Sequence, residues 1–329
     1  MARFSGVPFL LVLLACVAAS SAHRAKQTAF VAGLTNKTVA STVPSNGDVT
    51  PYGCFVVPRT VGKLRRDNVL INAAEPVGLS TALVVLQSGW VIVGNTPTTD
   101  GTSNTIMRGS IFVLDAFGTV RAEIKNSFIN GPWGATVAEF QSASIAYLFV
   151  SNVVAPANGT IVRWTLTDIM RADDRSSRPP RFTDPTIIAD NIGAVLDPAA
   201  VVIGPVGLGY RNNQLFVSDE VHNRVLHFNN VIFRGNPDTN PAVVTSDNAL
   251  QQPIGLTLTP NQNQALIVNN LNGNLVDFTI PAPGTQLATV TVSNFGAGSL
   301  FGLAATINQN GQKKVYFVND GDNTLNVLE

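Results

Sequence analysis

The strongest constraint on this chain is a short unit that recurs along it: proline, any residue, glycine, then a small or apolar residue. It reads Pro51-Tyr52-Gly53-Cys54, Pro76-Val77-Gly78-Leu79, Pro132-Trp133-Gly134-Ala135, Pro205-Val206-Gly207-Leu208 and Pro253-Ile254-Gly255-Leu256, with a degenerate copy at Leu300-Phe301-Gly302-Leu303. Proline can begin a strand but cannot sit in its hydrogen-bonded middle, and glycine lets another backbone come close. A chain that repeats such a unit builds one supersecondary element several times over, and that decides its architecture. The unit suits an inner strand squeezed near a central axis.

A second element follows each copy. Apolar runs close on a polar residue at Val91–Asn95, Leu148–Asn152, Leu215–Asp219, Leu266–Asn270 and Tyr316–Asp320, while Val69–Ala73 is the matching run of the first copy and ends in alanine. These are strands ended by a turn residue able to bond its own backbone. Third strands are expected at Ser110–Asp115, Thr160–Thr165, Arg224–Phe228, Asn274–Thr279 and Thr324–Leu328. Three strands and a variable fourth, repeated, describe the blades of a β-propeller. The glycines at 53, 78, 134, 207, 255 and 302 lie 25, 56, 73, 48 and 47 residues apart. A four-stranded blade needs roughly 40–50 residues, so the 73-residue interval holds an insertion and the first blade is incomplete. The sequence therefore predicts an all-β propeller of about six blades. Thr28–Val43 is expected to supply the outer strand of the last blade and so close the ring, removing exposed sheet edges. One short helix is expected at Ile169–Asp174.

Composition agrees. Hydrophobic residues are 45% of the chain and charged ones 13%, which excludes disorder. Twenty-one basic and 21 acidic residues cancel, so no global field draws the protein to nucleic acid or an anionic membrane. At the N-terminus, Arg3, an apolar run from Val7 to Ala19 and Ser20-Ser21-Ala22 describe a signal peptide, residues 1–22, ahead of one domain at 23–329. No segment is long and apolar enough for a membrane span. The expected location is secreted or extracellular, and Leu13-Leu14-Ala15-Cys16 leaves lipid anchoring through Cys16, or a periplasmic location, as the alternative. Cleavage leaves Cys54 alone, expected to be buried, so no disulfide staples the fold. Asn36-Lys37-Thr38 and Asn158-Gly159-Thr160 are glycan acceptor sequences in a eukaryotic source.

The segment Pro205–Phe228 resembles an NHL repeat through Pro205, Gly207-Leu208, Leu215-Phe216-Val217, Asp219 and Asn223-Arg224, and 253–278 and 301–328 look similar. The mature chain as a whole is similar to secreted, NHL-related proteins of unassigned function. The shared features are Pro51-Tyr52-Gly53, Gly62-Lys63-Leu64, Leu83–Leu86 with Ser88-Gly89-Trp90, Asn130–Trp133 and Val315–Asp320 with Thr324-Leu325-Asn326. The resemblance implies a mostly six-bladed propeller and says little of activity, because one such scaffold hosts many functions.

The candidate site is the set of strand-end residues Asn95, Asn152, Asp219, Asn270 and Asp320. In a propeller these turns share the face where ligands dock, and five oxygens around one mouth can hold a hard cation such as calcium. The resemblance to gluconolactonase-type propellers implies a divalent ion of this kind, polarising a lactone carbonyl. The competing reading is that each oxygen caps its own turn, and recurrence favours it, because a site normally breaks a repeat. His222 and His227 do not obviously converge and are too few for zinc. Arg224 is expected to pair with an acid or a carbonyl. The loops Asn95–Arg108 and Arg171–Arg181 read as polar insertions. No catalytic cluster stands out. The leading expectation is a monomeric binding protein that takes a protein, glycan or small molecule on the loop face. The alternative is a divalent-cation-dependent lactonase-like hydrolase or lyase.

Overall fold

The computed structural model describes residues 27–43, 45, 47, 49, 52–57, 78–154, 158–172, 177–260 and 263–329. The signal peptide with Cys16, His23, Gly62-Lys63-Leu64, the strand expected at Val69–Ala73 and Pro76-Val77 lie outside the described residues.

Among the described residues the first strand, β1 (Asn36–Ser41), is followed by twenty-one more. Blade I holds β2 (Leu83–Val85), β3 (Val91–Asn95), β4 (Ser110–Leu114) and β5 (Val120–Ile124). Blade II holds β6 (Pro132–Phe140), β7 (Ile145–Asn152), β8 (Asn158–Thr167) and β9 (Arg181–Gly193). A two-stranded hairpin, β10 (Val195–Asp197) with β11 (Val201–Ile203), precedes blade III, which is β12 (Pro205–Arg211), β13 (Gln214–Asp219), β14 (Arg224–Asn229) and β15 (Ala242–Ser246). Blade IV is β16 (Pro253–Leu258), β17 (Gln264–Asn269), β18 (Asn274–Thr279) and β19 (Gln286–Thr291). Blade V is β20 (Leu300–Ile307), β21 (Lys313–Asn319) and β22 (Thr324–Leu328), with β1 paired antiparallel to β22 as its fourth strand. Each blade is an antiparallel meander, and β6, β12, β16 and β20 contact one another in sequence, with β2 against β6. That is a propeller.

The blade number differs from the expectation of about six. Among the described residues there are five four-stranded blades. The first Pro-x-Gly copy forms no sheet: Tyr52–Val57 has no strand pairing. It lies instead between blades V and I. A β-carbon on Gly302 would come 2.5 Å from the Cys54 nitrogen, and one on Gly53 would come 2.9 Å from the Leu83 side chain. The long interval before blade III is explained by the 13 residues of β9 and by the hairpin.

The repeated glycines are a packing requirement. A β-carbon on Gly134 would lie 1.7 Å from the Val206 carbonyl oxygen, on Gly207 2.3 Å from that of Ile254, and on Gly255 1.9 Å from that of Phe301. Each inner strand thus presses its glycine on the backbone of the next blade, where a side chain of any size would collide. Serines finish the joint. Ser151 and Ser218 accept the amides of Gly134 and Gly207 at 2.9 and 2.7 Å, and Ser218 donates to the Ile254 carbonyl of blade IV at 2.9 Å.

Between the blades lie the hydrophobic cores. Trp90, Ile92 and Ile111 meet Leu148, Val150 and Trp164 between blades I and II, and Phe149, Ile161 and Ile188 meet Leu215, Val217 and Phe228 between II and III. Phe216 and Val225 meet Ile267 and Phe278 between III and IV. The fourth core joins Leu266, Val268 and Leu275 to Val315, Phe317 and Leu328, and takes in Ala29, Phe30 and Val31 from the segment before β1. Fully buried aromatic and branched side chains on alternating faces are what these short strands require.

Two expectations need correction. The helix at Ile169–Asp174 is absent over its described part, Ile169–Ala172. That backbone makes tertiary bonds to blade I instead: the Trp90 indole donates to the Met170 carbonyl at 2.7 Å, and Ala172 donates to Ser88 at 2.8 Å. Cys54 is half-buried rather than buried, and desolvation pushes its thiol up to about 12. Among the described residues no helix is long and apolar enough to cross a membrane.

Candidate functional site

In blades III, IV and V the turns between second and third strands share one design. Asn223, Gly273 and Asn323 occupy the left-handed region, with φ of 49°, 65° and 52°, one residue before the third strand. Glycine and asparagine accept this conformation most readily. Of the strand-end oxygens, Asp219 serves the turn of its own blade, whereas Asn95 and Asn152 bond the segments that lead into the inner strands of theirs. Asn95 Oδ1 accepts from the Gly78 amide at 2.8 Å, and Asn152 Oδ1 accepts from the Asn130 amide at 2.9 Å while its Nδ2 donates to the Phe128 carbonyl. Asp219 is buried and accepts from Arg224 Nε at 2.7 Å and faces His222 Nδ1 at 3.0 Å.

Strand register separates these residues into two rings. Pro132, Pro205, Pro253 and Leu300 pair with Asn152, Asp219, Asn269 and Asn319. The counterparts of Asp219 in blades IV and V are therefore Asn269 and Asn319. Asn270 and Asp320 stand one residue further on and correspond to Glu220. Asn270 is held by its own bonds: Oδ1 accepts from the Gly298 amide at 3.0 Å, and Nδ2 donates to Glu220 Oε1 at 3.2 Å and Gln252 Oε1 at 3.4 Å. Asp320 lies near Tyr52, whose hydroxyl is pushed up by burial and then by that carboxylate. Among the described residues no group of three or more His, Cys, Asp and Glu side chains gathers in a metal-binding arrangement. His227 stacks on Phe216 with ring centres 4.9 Å apart, away from His222, and burial lowers its pKa.

Glu220 is the residue that sequence reasoning passed over. It is 1% exposed, accepts from the Gly204 amide at 3.4 Å as well as from Asn270, and burial drives its carboxyl up to about 8, with the Asp197 charge adding to the rise. Gly204 and Asp197 belong to the hairpin segment before blade III. Val201 and Val202 of that hairpin pack with Trp133, Val153 and Val206, and β10 also touches the 3-10 turn Ser103–Thr105 of the blade I loop. The hairpin therefore lies on the face that carries the strand-end residues, against the inner ends of blades I to III.

Beneath it runs a central cavity of about 520 Å³. Its wall is drawn from six segments around the axis, 52–56, 81–85, 133–137, 206–211, 254–258 and 301–305, with Gln87 and Glu139 at the level of the opposite turns. Neither the hairpin nor the strand-end ring contributes to this wall. β2, β6, β12, β16 and β20 are each the innermost strand of a sheet, so backbone amides and carbonyls on their free edge face the axis. A second cavity of about 180 Å³ shares Gln87 and Glu139 with the first.

Fold and cavity together define a β-propeller with an axial pocket. A comparison with known protein families finds no match to this chain, and neither does one with curated proteins. Among solved structures it is similar to a periplasmic gluconolactonase of Pseudomonas aeruginosa, at 16% identity and TM-score 0.42, over 76% of this chain and 66% of that one. It is also similar to a glutaminyl cyclase of Myxococcus xanthus, at 12% and 0.43, over 77% and 90%. A third is a luciferin-regenerating enzyme, at 10% and 0.46, over 77% and 78%. The chain spans about two thirds of the length of the gluconolactonase it matches.

Proposed function

We propose that this protein is an exported binding protein that takes a small polar molecule into its axial cavity. The observation that carries the reading is the cavity itself. At about 520 Å³ it falls within the range of small-molecule sites. Its wall combines apolar side chains such as Leu83, Leu208 and Leu256 with Arg211, Glu139 and backbone edges. Residues 1–22 direct the export and are then removed, and a ligand enters from the end opposite the hairpin. The test is thermal unfolding of residues 23–329 against a panel of small metabolites. A ligand at a hundred times its dissociation constant adds about 2.7 kcal/mol to stability. Thr257→Trp places a large side chain in the cavity wall and abolishes the shift. A shift that survives Thr257→Trp, or no shift with any compound, sinks the reading.

A second reading, a divalent-cation-dependent lactonase-like hydrolase or lyase, rests on the contact of Glu220 with Asn270 at the junction of blades III and IV, with Asp219 one residue before Glu220. An ion there has to compete with Arg224 and the Gly298 amide for the same oxygens. Calcium then raises the unfolding temperature and EDTA lowers it, and Asp219→Ala and Asn270→Ala lose the response. Coincident melts in EDTA and calcium leave these oxygens as turn caps.

A further inference from the structure

The mouth of the axial cavity carries two opposite charges that do not meet. Arg211 ends the inner strand of blade III and Glu139 lies near the end of the inner strand of blade II. Gly134 presses on the Val206 backbone, so the two strands run side by side and bring Glu139 and Arg211 to the same height. Each charge is nevertheless drawn away from the other. The Arg211 guanidinium donates through Nη2 to the Thr259 carbonyl at 2.7 Å, towards blade IV. Both Glu139 oxygens accept from the Gln87 amide at 3.0 Å, towards blade I. No ion pair joins Arg211 or Glu139 to any other described residue. Both are half-buried in the wall of the cavity.

Charges desolvated without a counter-ion are costly, and a partner of opposite sign repays the cost only when it comes with good geometry. The directions of titration agree with that cost. Burial pushes the Glu139 carboxyl up, against the opposing effect of the Gln87 amide, and pushes the Arg211 guanidinium down. A guanidinium presents a planar fork that matches a carboxylate, and a carboxylate accepts from an ammonium. Between the two charges stand the free edges of the inner strands, able to pair with another main chain as a sheet edge does.

Resting on the reading of the cavity as a small-molecule site, we propose that its ligand is a short peptide with both termini free, its carboxylate on Arg211 and its ammonium on Glu139. The separation of the two charges onto opposite neighbours selects an extended zwitterion over a single amino acid. Recognition of both ends with the middle held by backbone bonds makes the site tolerant of side-chain identity. No covalent step is involved.

The experiment is titration calorimetry of residues 23–329 with alanine, dialanine, trialanine, N-acetyl-trialanine and trialanine amide. Trialanine is expected to bind at least tenfold more tightly than either capped form and than alanine. Arg211→Gln is expected to lose the preference for a free carboxylate while keeping the preference for a free amine, and Glu139→Gln the reverse. The capped peptides test the wild-type protein directly, so the outcome stands even if a variant fails to fold. Trialanine amide binding as well as trialanine overturns the proposal. So does failure of all five probes when a neutral or singly charged compound binds and loses its binding in Thr257→Trp, a result that leaves the cavity reading intact. If no compound of any kind binds, both fall together.

Discussion

Glu220 offers the sharpest test of how the hairpin end is held. Its carboxyl is buried between Gly204 and Asn270 and is pushed up to about 8 from an ordinary value near 4.5, burial being the main cause. Between those two values the folded protein keeps a proton that the unfolded chain releases. A raised acid therefore contributes its full stability below about pH 4.5 and loses it as the pH climbs to about 8. The slope is about 1.36 kcal/mol per pH unit, and over this window it amounts to roughly 4–5 kcal/mol. Glu220→Gln cannot ionise and removes the dependence. The glutamine NH₂ also turns a donor towards either the Gly204 amide or Asn270, a pH-independent penalty of about 1 kcal/mol. The variant is thus expected to be slightly less stable than the wild type at pH 4.5 and about 3–4 kcal/mol more stable at pH 9. At roughly 2 °C per kcal/mol for a chain of this size, it should melt about 6–8 °C higher at pH 9. Asp277, raised to about 6 chiefly by burial, adds its own loss at lower pH but cancels in the difference between the two proteins. Calorimetric melts from pH 4 to 9 measure that difference. Melting curves that stay parallel across the range refute the account of Glu220 as a buried, protonated acid.

Two further outcomes follow from the packing. Gly255→Ala drives a β-carbon to 1.9 Å from the Phe301 carbonyl and is expected to cost about 1–3 kcal/mol or more in urea unfolding, whereas Gly235→Ala, with nothing within 4 Å, is expected to be close to neutral. We also propose that the N-terminal strand holds the ring closed. Removal of residues 27–43 uncovers the edge of β22, takes the Val31 amide from Asp277 and strips Phe30 and Val31 from the core between blades IV and V. Two buried side chains at about 1.5–3 kcal/mol each set the expected loss near 5 kcal/mol, with aggregation from the exposed edge. A truncated protein that melts with the full one and stays monomeric by light scattering speaks against that role.

The repeat was readable because its cause is local. Proline at a strand start and glycine against the next backbone leave the same mark in blades II, III and IV and a degenerate one in blade V, and the third strands at Asn274–Thr279 and Thr324–Leu328 fall where the pattern places them. The ring of strand-end residues was readable only to within one position. Asn269-Asn270 and Asn319-Asp320 are polar doublets, either member of which can end a strand, and the pairing of Pro253 with Asn269 and Leu300 with Asn319 decides between them. That single-residue choice matters, because it moves Asn270 out of the turn-capping ring and against Glu220, and puts Asp320 next to Tyr52. Arg211, Glu139 and the hairpin Val195–Ile203 carry no mark in the sequence at all. What sets Arg211 and Glu139 apart is that Arg211 bonds towards blade IV and Glu139 towards blade I, and what sets the hairpin apart is its packing on Trp133. In a repeat fold the scaffold is written in what recurs. Specificity is written in the few side chains that cross between blades, and those become visible only when the blades stand next to one another.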